Sequence, residues 1–108
     1  MEVLSPIGNG PYDLEPHEAG WAAEATTIVY VREVDGPSPV LNLRAQISVD
    51  GMRWIDFDRA FAPISQPGGY FLTLSHFGNW LRLVGEVSGG PADGAPAFII
   101  DCYWVFKD

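Results

Sequence analysis

The sequence predicts an all-β fold, an antiparallel β-sandwich of jelly-roll or immunoglobulin-like type with six to eight strands and little or no helix. Three observations lead there. From Ala25 onwards, short apolar or alternating segments are separated by Gly, Pro, Asp and Ser at the intervals of all-β domains. Val40 to Ser48 alternates with period two, so one face meets a core and the other meets water or a partner. No stretch carries a helical apolar stripe; Glu15 to Ala25 is interrupted by Gly20 and offers at most one turn near Glu18 to Ala23. Amphipathic strands in a chain of 108 residues bury one face each by forming two layers or a small barrel, and the sandwich is the favoured solution.

Taken in order, residues 1–21 read as an irregular N-terminal arm and 22–108 as a single sandwich domain. The arm carries Pro6, Gly8, Gly10, Pro11, Pro16 and Gly20, which leaves room only for a short strand at Tyr12 to Leu14. Thr26 to Val34, rich in β-branched residues, forms the first strand of the domain and stops where Pro37 and Pro39 end the ladder. Val40 to Ser48 places Leu41, Leu43, Ala45 and Ile47 on one face. Asp50 and Gly51 signal a tight hairpin turn, because Gly supplies positive φ without a Cβ clash; Arg53 to Phe57 returns, with Trp54 folded back over the turn. Asp58 to Gly69 is a long connection in which Phe61 and Ile64 plug one end of the core. Tyr70 to Ser75 and Trp80 to Ser88 follow, the latter with Leu81, Leu83 and Val87 opposite Arg82, Val84 and Glu86. Gly89 to Pro96 is a flexible loop by composition. In the closing strand, Ala97 to Phe106, Phe98, Ile100, Cys102, Trp104 and Phe106 share one face and Ile99, Asp101, Tyr103 and Val105 the other, so both are largely apolar. Such a strand is central or covered.

Composition narrows the function. Apolar residues make up 47% and charged residues 19%, which describes a chain that folds rather than a disordered one. Fourteen acidic side chains oppose six basic ones, for a net charge of -8, and the six cations are dispersed with none before Arg32. Nucleic acid needs clustered positive charge, so it is not expected as a ligand. Membrane association is not expected either, since no apolar run approaches the roughly 20 residues of a spanning helix. Residues 1–6 lack the basic and long apolar regions of a secretory signal, which makes a cytoplasmic or particle-associated protein the expectation. Cys102 stands alone and reads as a small buried hydrophobe.

No arrangement of reactive residues points to catalysis. His17 and His76 are 59 positions apart and lack the close ligand pairing of metal sites in short chains; both read as solvated loop histidines. Ser75 and His76 would point to opposite faces of a strand, which separates nucleophile from base. Asp56, Asp58, Glu86 and Asp101 read as solvated carboxylates, except that Asp101 sits in an apolar strand and calls for a partner, an Arg on a neighbouring strand. We therefore expect no catalytic residues, no metal and no cofactor. Among the many aromatics, Trp54 and Trp80 could serve as platforms, although packing or subunit contact is the commoner fate of a large ring.

The ordered set Gly36-Pro37-Ser38-Pro39, the alternating Leu41 to Gln46, the S-x-D-G-x-x-W segment Ser48 to Trp54, Phe61 with Ile64, Gly69-Tyr70, Trp80-Leu81-Arg82-Leu83 and the late Ser88-Gly89-Gly90 with Pro96 resembles a known pattern. It is similar to the small β-sandwich accessory proteins of bacteriophage and prophage structural modules. In those, an "SG-x-SP-x-L-x-V-x-I-Q-x-S-x-D-G-x-x-W" hairpin precedes a "Y-x-L … L-R" strand and a second "SG … P-x-F" turn. The likeness spans about residues 25–106; the longer Gly89 to Pro96 loop and the acidic, proline-bearing arm depart from it. The resemblance implies capsid decoration or a place in tails, with no enzymatic residues to carry over.

The expected function is thus a non-enzymatic structural or interaction protein that self-associates or docks on shell, capsid or tail proteins. Its apolar excess supplies the reason, since Ile99, Tyr103 and Val105 need a cover that a sandwich of this size lacks. Tyr12, Trp21 and Trp80 complete the candidate interface. The alternative is a carbohydrate-binding module that stacks sugars on Trp21, Trp54, Tyr70 or Trp80.

Overall fold

The structure, a computed structural model, describes the backbone of residues 2–108 and the side chains from Ile7 onwards. Among the described residues there is no helix, and nine strands form two antiparallel sheets: β1 (Glu2–Ile7), β2 (Gly10–Asp13), β3 (His17–Glu18), β4 (Glu24–Val34), β5 (Val40–Ser48), β6 (Ile55–Ala60), β7 (Gly68–Ser75), β8 (Trp80–Ser88) and β9 (Phe98–Lys107). One sheet has the order β1-β9-β4-β7; the other runs β2-β8-β5-β6, with the two-residue β3 also on β8. This is the expected β-sandwich.

The inner faces follow from period two. Ala25, Thr27, Val29 and Val31 of β4 and Phe98, Ile100 and Cys102 of β9 point inward and are buried, opposite Leu41, Leu43 and Ala45 of β5 and Leu81, Leu83 and Val87 of β8. Cys102 is fully buried, with its sulfur 3.7 Å from the Thr27 hydroxyl. Ile64 plugs the core as expected and bridges Leu41 through two backbone hydrogen bonds.

Residues 1–21 are not an irregular arm. β1 pairs with β9, and β2 and β3 pair with β8, so this segment contributes strands to both sheets. Ile7, Leu14 and Ala19 are buried in the core. Pro6 and Pro11 are tolerated because a strand at a sheet edge has one side without ladder hydrogen bonds, where a missing N–H goes unused. Met1 and the side chains of residues 2–6 lie outside the described residues.

Two loop expectations also change. The β5–β6 connection occupies residues 49–54 rather than a two-residue turn. The Gly89 to Pro96 loop is pinned: Gly90 N–H donates to Asn9 Oδ1 at 2.8 Å and Ser38 N–H donates to the Gly89 carbonyl at 3.1 Å. Pro37 and Pro39 therefore sit in a turn clasped by the later glycine loop, besides ending the β4 ladder.

Candidate functional site: the outer face of the four-stranded sheet

β4 and β9 are central strands, and the phase that sends Val29 and Cys102 inward sends their neighbours outward. Register sets Phe71, Ile28 and Tyr103 side by side across β7, β4 and β9, with Thr73, Thr26 and Val105 in the next row. Tyr30 follows, beside Asp101, with the Tyr30 and Tyr103 rings edge to face at 5.7 Å. Among the described residues, no layer covers these rows. Phe71 is 71% exposed, Tyr30 48% and Val105 44%, while Ile28, Ile99 and Tyr103 are half-buried. A depression of about 400 Å³ between Ile28, Tyr30, Tyr70 and Phe71 gives the face relief. Asp101 finds its partner on the neighbouring strand, with Arg32 Nε 3.3 Å from its carboxylate.

Of the expected interface residues, Ile99, Tyr103 and Val105 share this face, but Trp80, Tyr12 and Trp21 do not. Trp80 belongs to the other sheet and packs on the 49–54 loop, where a Cβ on Gly51 would stand 3.2 Å from the ring. Tyr12 is packed against the core, with its hydroxyl donating to the Gly8 carbonyl. Trp21 is exposed at one end of the sandwich, edge-on to Phe106 at 5.9 Å. Phe71, Ile28 and Tyr30 were missed by sequence reasoning. The signal was present in Thr26 to Val34, whose outward phase holds Ile28 and Tyr30.

The 49–54 loop is organised by Asp50. Its carboxylate accepts hydrogen bonds from the backbone N–H of Met52 at 2.9 Å and of Arg53 at 3.0 Å, and from Arg53 Nε at 3.0 Å. Those donors, the Arg53 backbone foremost, hold its carboxyl well below the usual carboxylate range. Gly51 takes φ of 78°, as the turn chemistry requires. Trp54 does not fold over this turn. Its ring lies beneath the Arg82 guanidinium at 4.4 Å, within a polar chain on the outer face of the second sheet. There Arg82 Nε donates to Gln46, and Gln46 Nε2 and Arg44 Nε both donate to Asp56, lowering the Asp56 pKa.

The histidines differ from each other. His76 leaves the strand with φ of 59°, which turns its ring back so that Nδ1 lies 3.2 Å from the Ser75 hydroxyl; the two do not diverge as strand neighbours would. His17 is not a solvated loop residue. It lies on β3, half-buried, 5.7 Å from Trp104, which itself stacks on Phe106. Nε2 of His17 and Nε1 of Trp104 are buried with no hydrogen-bond partner among the described residues. No group of three His, Cys, Asp or Glu side chains among those residues is arranged to hold a metal ion, and no helix is long and apolar enough to cross a membrane.

No family model matches the chain, and no curated protein sequence matches it. A solved structure, "Crystal structure of PirA", is similar in fold, with a TM-score of 0.54 over 97% of this chain and 89% of that one, at 12% identity. A likeness at that identity concerns the sandwich architecture alone.

Proposed function

We propose that this protein is a non-enzymatic structural or interaction protein that docks on a larger protein assembly through the outer face of the four-stranded sheet. The observation that carries the reading is the uncovered apolar row Phe71–Ile28–Tyr103 with Tyr30 and Val105 beside it. A sheet face of this kind normally meets a second layer, and removing its rings from water on contact with a partner is favourable by roughly 25 cal/mol per Å² of apolar surface. Aromatic residues are also the commonest anchors of protein interfaces. The resemblance to phage and prophage accessory proteins supports a particle, capsid or tail, as the assembly. The test is sedimentation with the particles of the source organism. Wild type is expected in the particle fraction and Val105→Lys in the free fraction; a wild type that stays free in the presence of assembled particles overturns the reading.

A second reading, carbohydrate binding, draws on the outer face of the other sheet, where Trp54, Arg82, Gln46 and Asp56 form an ordered aromatic and polar array. Glycan-array binding that is lost in Trp54→Ala would support it, and silence across the array removes it.

A further inference from the structure

We propose that the open edge of β7 pairs with β7 of a second copy of this chain, joining two four-stranded sheets into one. The inference rests on the reading of the protein as an interaction protein, and it names the element and the partner. An edge strand presents unpaired N–H and C=O groups, and soluble proteins usually protect such edges with charges, prolines or bulges. Three edges here are protected in that way. β1 contains Glu2 and Pro6, β2 contains Pro11 and Asp13, and β6 contains Asp56, Asp58 and Arg59 with a shift of register against β5. β7 is not: Gly68 to Ser75 holds no charge and no proline, and it pairs with β4 in unbroken register over eight residues. Beyond that ladder, no residue from 68 to 75 makes a backbone–backbone hydrogen bond among the described residues.

The space beside the edge is also open. Two grooves lie between β7 and the 57–63 segment, one of about 350 Å³ between Phe61, Pro63, Tyr70 and Leu72 and one of about 600 Å³ between Phe57, Asp58, Arg59, Thr73 and His76. An added backbone strand fits this setting because strand addition needs only alternate N–H and C=O groups on each side.

The uncharged edge and two-fold symmetry select a second copy as the occupant. Each copy carries -8, so two copies repel unless they meet where the net charge is small; β7 itself holds no charged side chain, and Asp58 and Arg59 in the groove beside it offset each other. Antiparallel pairing of a strand with itself is compatible with a two-fold axis, the commonest symmetry of homo-oligomers. Eight residues span roughly 26 Å, and a single sheet of a sandwich is about 10 Å thick. The edge strip is therefore roughly 260 Å² per copy, about 500 Å² in total, below the ~1,000 Å² of a stable specific interface. That size describes a reversible dimer, and it should tighten as salt screens the repulsion.

The test combines analytical ultracentrifugation from 1 to 200 µM, in 0.05 and 0.5 M NaCl, with hydrogen exchange on the same samples. We expect a monomer–dimer equilibrium that is stronger at high salt, with the amides of residues 68–75 becoming protected as concentration rises. Thr73→Lys, which places a charge on the edge strand, should weaken dimerisation at least tenfold, whereas Val105→Lys, two strands away, should leave it unchanged. A dimer whose new protection falls on residues 26–30 and 101–105 while 68–75 exchange freely overturns edge pairing and leaves the docking face standing. A monomer at 200 µM in both salts also overturns edge pairing, and particle sedimentation then decides the docking face separately.

Discussion

Gly89 has φ of 70°, and a Cβ placed on it would stand within bonding range of the Ser38 carbonyl oxygen. Gly94 has φ of 81° with nothing within 4 Å of such a Cβ. The two glycines separate backbone strain from steric exclusion. Gly94→Ala is expected to lose about 1 kcal/mol, from the left-handed conformation alone, and Gly89→Ala about 3 kcal/mol or more, because the clasp on the 35–39 turn must open; urea midpoints measure both. Asp50 offers a second test. Its folded-state pKa lies below the value near 3.9 of an unfolded Asp, so its stabilisation is present above about pH 4 and is lost as the pH falls. Asp50→Asn should therefore be less stable than wild type at pH 7, with a gap that narrows as the pH falls to 2.5 without closing there, and an unchanged gap in denaturation midpoints would contradict this. The S-x-D-G-x-x-W order revealed Asp50 and Gly51 as turn residues, but not which tryptophan covers them. That depends on β8 lying beside β5, which brings Trp80 rather than Trp54 to Gly51.

Among the elements, β5 and β8 were legible to the residue because each alternates cleanly, one face in the core and one outside. β1 to β3 were not. Local signals there, Pro6, Gly8, Gly10 and Pro11, speak for irregular chain, and only the neighbouring strands β8 and β9 reveal that these residues are held in ladders. The difference has a measurable consequence. A dispensable arm would tolerate truncation, whereas Ile7→Ala is expected to cost about 2–5 kcal/mol through the cavity left at a buried site, and removal of residues 1–7 should lower the melting temperature by more than that point change. Scanning calorimetry distinguishes the two cases. β9 was read correctly as a strand apolar on both faces. It is central, between β1 and β4, yet only its inner face is covered by the other sheet.

For the whole molecule, the exposed rows on the four-stranded sheet predict that charge can be introduced there without loss of fold. Val105→Lys should change thermal stability by less than about 0.5 kcal/mol, as surface substitutions usually do, while lowering the binding of an apolar dye. A large stability loss would mean that the residue packs within the molecule after all. By contrast, Phe98→Ala, on the opposite face of the same strand and fully buried, is expected to cost about 3–5 kcal/mol.

Residue order was enough for the class of fold, the inward phase of β5 and β8, the two faces of β9, the burial of Cys102 and the need of Asp101 for an arginine, because period two and the desolvation of a carboxylate act within a strand and its nearest neighbours. Tertiary structure alone decided which strands stand at edges, that the N-terminal residues belong to both sheets, that His17 meets Trp104, and that Phe71, Ile28 and Tyr103 form one row. Those facts depend on pairing between segments far apart in the chain, where hydrogen-bonding backbones are chemically alike and register is chosen by the packing of the whole core.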